Sequence, residues 1–126
     1  MIIKKIREGY IDVPIVSKED NIQRGIYIMI VKGKIRKVGI FGEGADSNKK
    51  KRFSGYRSSG KHLKPGNGSY KTMKVLNEKL EVGDEVEVRF KEAPENKVID
   101  GIVYSANLYI MEKILKNKYK NTLWLS

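Results

Sequence analysis

The chain contains no cysteine, which excludes disulfides and thiolate metal sites. Its one histidine is His62, so no histidine pair exists to hold a metal. No apolar run approaches the roughly 20 residues that a membrane-spanning helix needs. The opening Met-Ile-Ile-Lys-Lys-Ile-Arg alternates apolar and basic residues, a strand pattern rather than the apolar block of a secretory signal. Nothing points to export, and the expected location is cytoplasmic. Acidic side chains are the scarcer charge: 15 Asp and Glu stand against 26 Lys and Arg, a net charge of +11. A small domain with a pI near 9.8 sets up a positive field that attracts polyanions, of which nucleic acid is the commonest. The basic residues also cluster. Lys49-Lys50-Lys51-Arg52 is one block, Arg57, Lys61, His62 and Lys64 follow closely, and Lys113, Lys116, Lys118 and Lys120 form another.

Hydrophobic residues make up 40% of the 126, enough for a packed core and too many for a disordered chain. The chain reads as a single domain over 1–126, with no internal repeat and no low-complexity tract. Residues 2–16 alternate well enough for one or two strands, and Val13-Pro14 marks an edge or an end, since proline cannot donate to a ladder. The isoleucine-rich run 25–31 reads as a strand buried on both faces, Lys32-Gly33-Lys34 as a tight turn, and 35–41 as the returning strand. Ser47 or Asn48 can cap a helix that starts at Lys49 and ends near Tyr56. Residues 58–69, with three glycines and a proline, read as a loop. A second helix is expected from Tyr70 to Leu80, with Met73, Leu76 and Leu80 on one side. Residues 85–90 alternate strictly, as a half-exposed strand does. A long helix is expected from Asp100 to Lys118, with Ile99, Ile102, Val103, Ala106, Ile110 and Ile114 as its apolar stripe. This order predicts an α+β domain: a small, mainly antiparallel sheet flanked by helices, β-β-α-α-β-α, after an extra N-terminal strand region.

A Gly-Ile-Tyr run inside an apolar strand ordinarily means core. Here Gly25-Ile26-Tyr27 is followed on the next strand by Lys37-Val38-Gly39, then by Arg52 in a helix, by Tyr56 four residues on, and by Met111-Glu112-Lys113-Ile114 in the last helix. In order and spacing the sequence resembles the GIY-YIG nuclease superfamily. The resemblance covers residues 24–126 and leaves 1–23 as an N-terminal extension. Lys37 stands where the family usually has its second tyrosine, a change that some phage-borne branches also carry. Ile40-Phe41-Gly42 is the other register for that motif; Lys37-Val38-Gly39 is preferred because its glycine ends the strand at the expected distance. Asn121 matches the family's closing asparagine. The loop Glu43-Gly44-Ala45-Asp46 is longer than usual and has no counterpart.

The resemblance implies a divalent-metal-dependent DNA endonuclease and a site made of Tyr27, Lys37, Arg52, Tyr56 and Glu112. Phosphodiester hydrolysis needs an activated water, charge neutralisation on the phosphorane and a stabilised leaving oxygen. Mg²⁺, or Mn²⁺ in its place, serves the last two, and since Mg²⁺ keeps most of its waters one carboxylate can suffice; Glu112 is that expected ligand. Without the resemblance, Glu112 reads as a helix glutamate paired with Lys116 at i+4. Tyr27 is expected to activate the water. A phenol titrates near ~10, so this requires cationic neighbours, and Lys37 can supply that charge or hold the phosphate. Arg52 suits a phosphate clamp through its planar fork of donors, and Tyr56 would orient water or phosphate.

Lys49, Lys50, Lys51, Arg57, Lys61, His62 and Lys64 are candidate nucleic-acid contacts, which position a duplex without reading sequence. Arg57, Lys61, His62 and Asn67 are the candidate readers in the 58–69 loop. The expected partner is double-stranded DNA and no membrane: a monomer would nick one strand, and a homodimer could cut both. Two other readings compete. One is a non-catalytic nucleic-acid-binding domain on the same scaffold, favoured by the lysine at position 37. The other is an interaction protein whose basic face meets an acidic partner protein.

Overall fold

The computed structural model describes residues 1–17, 22–42, 48–65, 68–94, 96–105 and 107–125. Strands β1 (Ile2–Arg7) and β2 (Tyr10–Asp12) form a hairpin, followed by β3 (Gly25–Val31) and β4 (Lys34–Phe41). Helices α1 (Lys49–His62) and α2 (Gly68–Lys79) come next, then β5 (Glu85–Glu92), a short hairpin β6 (Lys97–Ile99) and β7 (Ile102–Tyr104), and helix α3 (Leu108–Lys118). Five strands make one antiparallel sheet in the order β2-β1-β5-β3-β4. The fold is therefore α+β with a mainly antiparallel sheet, as expected. Strand β3 lies between β5 and β4, which is why its apolar run is continuous rather than alternating.

The period-two alternation of the strands sends side chains to two separate cores. On one face Tyr27, Met29 and Phe41 pack against Phe53 and Tyr56 of α1 and Met73 and Leu76 of α2. On the other, Ile26, Val38 and Ile40 pack against Leu108 of α3, with Met111 and Leu115 beside it. The N-terminal hairpin belongs to the first core through Ile3 and Ile11. It is also tied down by Lys5, only 1% exposed. Its ammonium donates to the carbonyls of Asn77 (2.6 Å) and Leu80 (2.8 Å) at the end of α2 and pairs with Glu8 at 2.7 Å. A cation there satisfies carbonyls that a helix C-terminus leaves open.

Two elements depart from the sequence-based expectation. Helix α1 does not end near Tyr56 but continues to His62, where Leu63 closes it in the left-handed region (φ 45) with its N–H on Ser59 O at 2.8 Å. Its interior glycines lower helix propensity, yet Gly60 sits against the backbone carbonyl of Ile11, where a Cβ would not fit. Tertiary packing thus outweighs propensity. Arg57, Lys61 and His62 are consequently helical residues, and Asn67 falls outside the described residues, as does Glu43-Gly44-Ala45-Asp46. The N-cap is Asn48, whose side chain accepts from Lys51 N at 2.9 Å.

The second departure is at the last helix, which starts at Leu108 and not at Asp100. Asp100 and Gly101 both take positive φ (51° and 75°) and turn the β6–β7 hairpin, in which Ile99 faces Ile102 and Val98 faces Val103. An Asp-Gly pair between apolar residues is a strong hairpin signal, and it prevails here over helical spacing. Asn107 caps α3 through Ile110 N at 3.1 Å. The buried stripe of α3 is made by Leu108, Met111 and Leu115. Ile110 and Ile114 face outward, and Ala106 lies outside the described residues.

Candidate active site

Tyr27 sits in the middle of the sheet, paired across to Gly39 on β4 and to Phe90 on β5. Its ring lies directly over Gly39, in space that a Cβ on that residue would take. The glycine of Lys37-Val38-Gly39 is thus required by the tyrosine of the neighbouring strand. In the other register, Phe41 is a buried core residue and Gly42 is a turn glycine with φ 87. The Tyr27 ring packs edge-on against Phe53, with centroids 5.2 Å apart, and against Tyr56. Its hydroxyl shares a 2.5 Å hydrogen bond with the Tyr56 hydroxyl. Burial, and then the Tyr56 phenol, push the Tyr27 pKa well above its ordinary value, and the nearby Arg52 guanidinium lowers it by less. The expectation that cationic neighbours would bring Tyr27 within range of a base is not met. In this aromatic pocket the phenol keeps its proton.

Lys37 lies two residues before Gly39 and so shares its sheet face, the face covered by α1 and α2. Helix α3 packs on the opposite face. β4 is the outermost strand, so a side chain from α3 can meet Lys37 and Tyr27 only around that edge. The carboxylate charge of Glu112 on α3, like the guanidinium charge of Arg52 on α1, acts on both Tyr27 and Lys37. Burial is the main cause that lowers the Lys37 pKa, to about 8. Lys116, Arg52 and Lys71 lower it further, and Glu112 opposes them. Beyond Lys37 the edge is lined by the C-terminal segment, through Trp124 N on Arg36 O and Arg36 Nη1 on Thr122 O, both 2.9 Å.

Glu112 is partly buried, and Lys116 Nζ stands 3.6 Å from its Oε1. The i+4 pair read from the sequence is therefore present, in the same place as the expected ligand. Among the described residues no group of three or more His, Cys, Asp or Glu is positioned to hold a metal. A single carboxylate, Glu112 of α3, fits an ion that keeps most of its own water. Clefts of about 330 Å³ beside the start of α1 and about 360 Å³ between α3 and β5 contain none of Tyr27, Lys37, Arg52 or Glu112. A site on an open edge suits an extended polymer better than a small molecule.

Of the expected nucleic-acid contacts, Lys50, Lys51, Lys61, His62 and Lys64 are exposed and Arg57 is partly exposed. Lys50, Arg57 and Lys61 follow one helical stripe of α1. Lys49 departs from the expectation. It is 4% exposed, with its ammonium 3.9 Å from the Phe90 ring centroid and 5.8 Å from that of Phe41. It supports the aromatic core by a cation–π contact instead of facing a phosphate. Lys71, among the charges acting on Lys37, carries no motif and was invisible in the sequence. Asn121 is exposed in the turn after α3.

No family model matches the chain, and no curated protein matches it either. Among solved structures, a glutamate-to-alanine variant of bacteriophage T4 EndoII, a GIY-YIG nuclease, superposes with a TM-score of 0.66. The match covers 100% of this chain and 89% of that one at 14% identity. The fold implied by the sequence resemblance is thus the fold found. At that identity the likeness is one of fold.

Proposed function

We propose that the chain is a divalent-metal-dependent endonuclease that hydrolyses phosphodiester bonds of double-stranded DNA. One observation carries this reading. The guanidinium of Arg52 on α1 and the carboxylate of Glu112 on α3 act on the same two groups, Lys37 on the edge strand β4 and Tyr27 on its neighbour β3. A binding module has no use for a lone acid placed among cations that attract phosphate. The fold shared with T4 EndoII supports it.

Arg52 clamps the scissile phosphate. Lys37 is the proton acceptor, since its amine loses a proton at lower pH than the Tyr27 phenol does, and a base is most useful when it titrates near the working pH. Tyr27 and Tyr56, locked to each other by their shared hydrogen bond, orient the reacting groups. Glu112 would hold the ion, Mg²⁺ or Mn²⁺, which when bound supplies charge neutralisation at the phosphorane and the leaving oxygen. Lys50, Lys51, Arg57, Lys61, His62 and Lys64 position the duplex through its phosphates. A single site cuts one strand, so a monomer nicks and a homodimer can break both.

The second reading is a non-catalytic nucleic-acid-binding domain on the same scaffold. Its supporting feature is Lys37, a lysine where the resembled family usually has its second tyrosine. Supercoiled plasmid incubated with Mg²⁺ separates the two. Relaxed or linear product from the wild type, absent with EDTA and absent for Glu112→Ala, is the expected outcome. Plasmid and phage genomic DNA both left intact, yet retarded on a gel, refute the nuclease and leave the binding domain.

A further inference from the structure

Strand β4 does not pair evenly with β3. Met29 pairs with Lys37, and the next residue of β3, Ile30, pairs with Ile35. Arg36 is therefore an extra residue in β4, a β-bulge. Residues two apart on a regular strand share a face, so without the bulge Ile35 and Lys37 would point the same way. Instead Ile35 packs against the second core, beside Leu108. Lys37, directly opposite Met29 of the first core, lies on the side of Tyr27, since paired residues share a face. A bulge one residue later would leave Lys37 unpaired and put Arg36 opposite Met29. The place of the bulge thus decides which cation reaches the site.

Arg36 is held in that place by residues 122–125, beyond α3. Its carbonyl accepts from Trp124 N, and its Nη1 donates to Thr122 O, both at 2.9 Å. Its guanidinium carbon lies 4.9 Å from the centroid of the Trp124 ring, within cation–π range. The segment is itself pinned on both sides of the sheet, Leu123 against the second core and Trp124 against the first. Covering an edge strand needs only backbone pairing. Here the arginine side chain is drawn in as well, and its Nε is buried without an acceptor among the described residues. A buried donor left unsatisfied costs stability, and such local costs gather at functional sites.

We propose that residues 122–125 are a positioning element of the active site: they clamp Arg36 in the bulge of β4 and so aim Lys37 at the Tyr27 side of the sheet. Arg36 and Trp124 are positioning residues, which act through Lys37 and not on the DNA. This role rests on Lys37 being the proton acceptor proposed above, and it is read both with and without cleavage.

In the clamped position Lys37 titrates at about 8 rather than 10.5, mainly through burial. Trp124→Ala removes the ring beside Arg36, and Arg36→Met removes the bond to Thr122. Each should release Lys37 toward water. Acylation of Lys37 by acetic anhydride, followed by mass spectrometry across pH, should have its midpoint near 8 in the wild type and roughly one pH unit higher in either variant, as lost burial requires. Trp124→Phe keeps a ring for Arg36 and should stay with the wild type. Leu80→Ala weakens the first core beside Lys5 of β1, three strands from β4; it should lower Tm and leave the midpoint alone. In plasmid nicking with Mg²⁺ at pH 7, kcat of Trp124→Ala should fall about tenfold, the loss of neutral amine that one pH unit brings, with KM for DNA unchanged. A midpoint equal in the wild type, Trp124→Ala and Arg36→Met overturns the inference, whatever happens to activity. So does a midpoint that Leu80→Ala moves as far. A midpoint that moves as expected in a protein that cuts no DNA upholds the clamp on Lys37 and refutes the nuclease reading alone. If Trp124→Ala fails to fold, Arg36→Met decides.

Discussion

Replacing Lys37 by methionine keeps the unbranched stem of the side chain, one heavy atom shorter, and removes its charge. The folded state lowers the Lys37 pKa from 10.5 to about 8, chiefly through burial. A lysine with a depressed folded-state pKa is bound by fewer protons when folded than when unfolded. Stability must then rise with pH between about 8 and 10.5, and below that window the protonated lysine destabilises the fold. The full shift corresponds to roughly 3 kcal/mol; residual solvent around a partly exposed side chain reduces the net figure to about 1.5–3 kcal/mol. Lys37→Met should therefore be more stable than the wild type at pH 7, with Tm raised by roughly 5–10 °C, and should be inactive. Urea unfolding of both proteins at pH 7, 8.5 and 10.5 checks this, since the advantage of the variant should shrink as pH rises and vanish at the top. A variant no more stable than the wild type at pH 7, or an advantage that does not change with pH, would refute the account of Lys37 as a desolvated amine.

Gly39→Ala should cost about 1–3 kcal/mol or more, because the new Cβ meets the Tyr27 ring in a core that cannot expand freely; thermal unfolding reads this, and an unchanged Tm would mean that the ring is free to move. Lys5→Met should lose roughly 2–4 kcal/mol, since two helix-terminal carbonyls lose a buried charged donor, and this loss is measured by denaturant midpoint. Lys50→Ala and Lys61→Ala should each reduce the salt dependence of DNA binding by about 1 in slope, whereas Lys49→Ala should leave the slope unchanged and lower stability, as its place over Phe90 requires.

The strands of the core were legible because their signals are local. Isoleucine runs, the Lys32-Gly33 turn and the strict alternation of 85–90 each specify one conformation. The two errors at helix ends have one cause, which is that contacts distant in sequence decide them. Gly60 looks like a helix breaker until the Ile11 backbone lies against it. Residues 99–114 carry helical apolar spacing, but the Asp100-Gly101 turn takes the first part into a hairpin whose side chains point to solvent. The site was legible as a list of residues and not as a set of ionisation states. Sequence places Lys37 near Tyr27, and only the packing of Phe53 and Tyr56 around that ring reveals that the phenol gains more from burial than Arg52 takes away. Lys49 reads as one of four consecutive cations. Its burial between aromatic rings depends on Phe90, more than forty positions further along the chain.

The pair between Glu112 and Lys116 bears most directly on whether an ion can bind, and its magnitude decides the matter. A partly exposed i,i+4 pair is worth about 0.5 kcal/mol, so Lys116 lowers the affinity of Glu112 for a cation by a factor of about two to three. That is too little to keep a divalent ion out, and the pair does not by itself favour a non-catalytic domain. Lys116 also helps to lower the Lys37 pKa. Lys116→Met should therefore do two things at once: lower the Mg²⁺ concentration for half-maximal nicking about two- to threefold, and move the ascending limb of the pH–rate profile upward. A metal midpoint that falls with no change in the profile would mean that Lys37 is not the titrating base. A profile that moves with no change in the midpoint would mean that the ion is not held by Glu112.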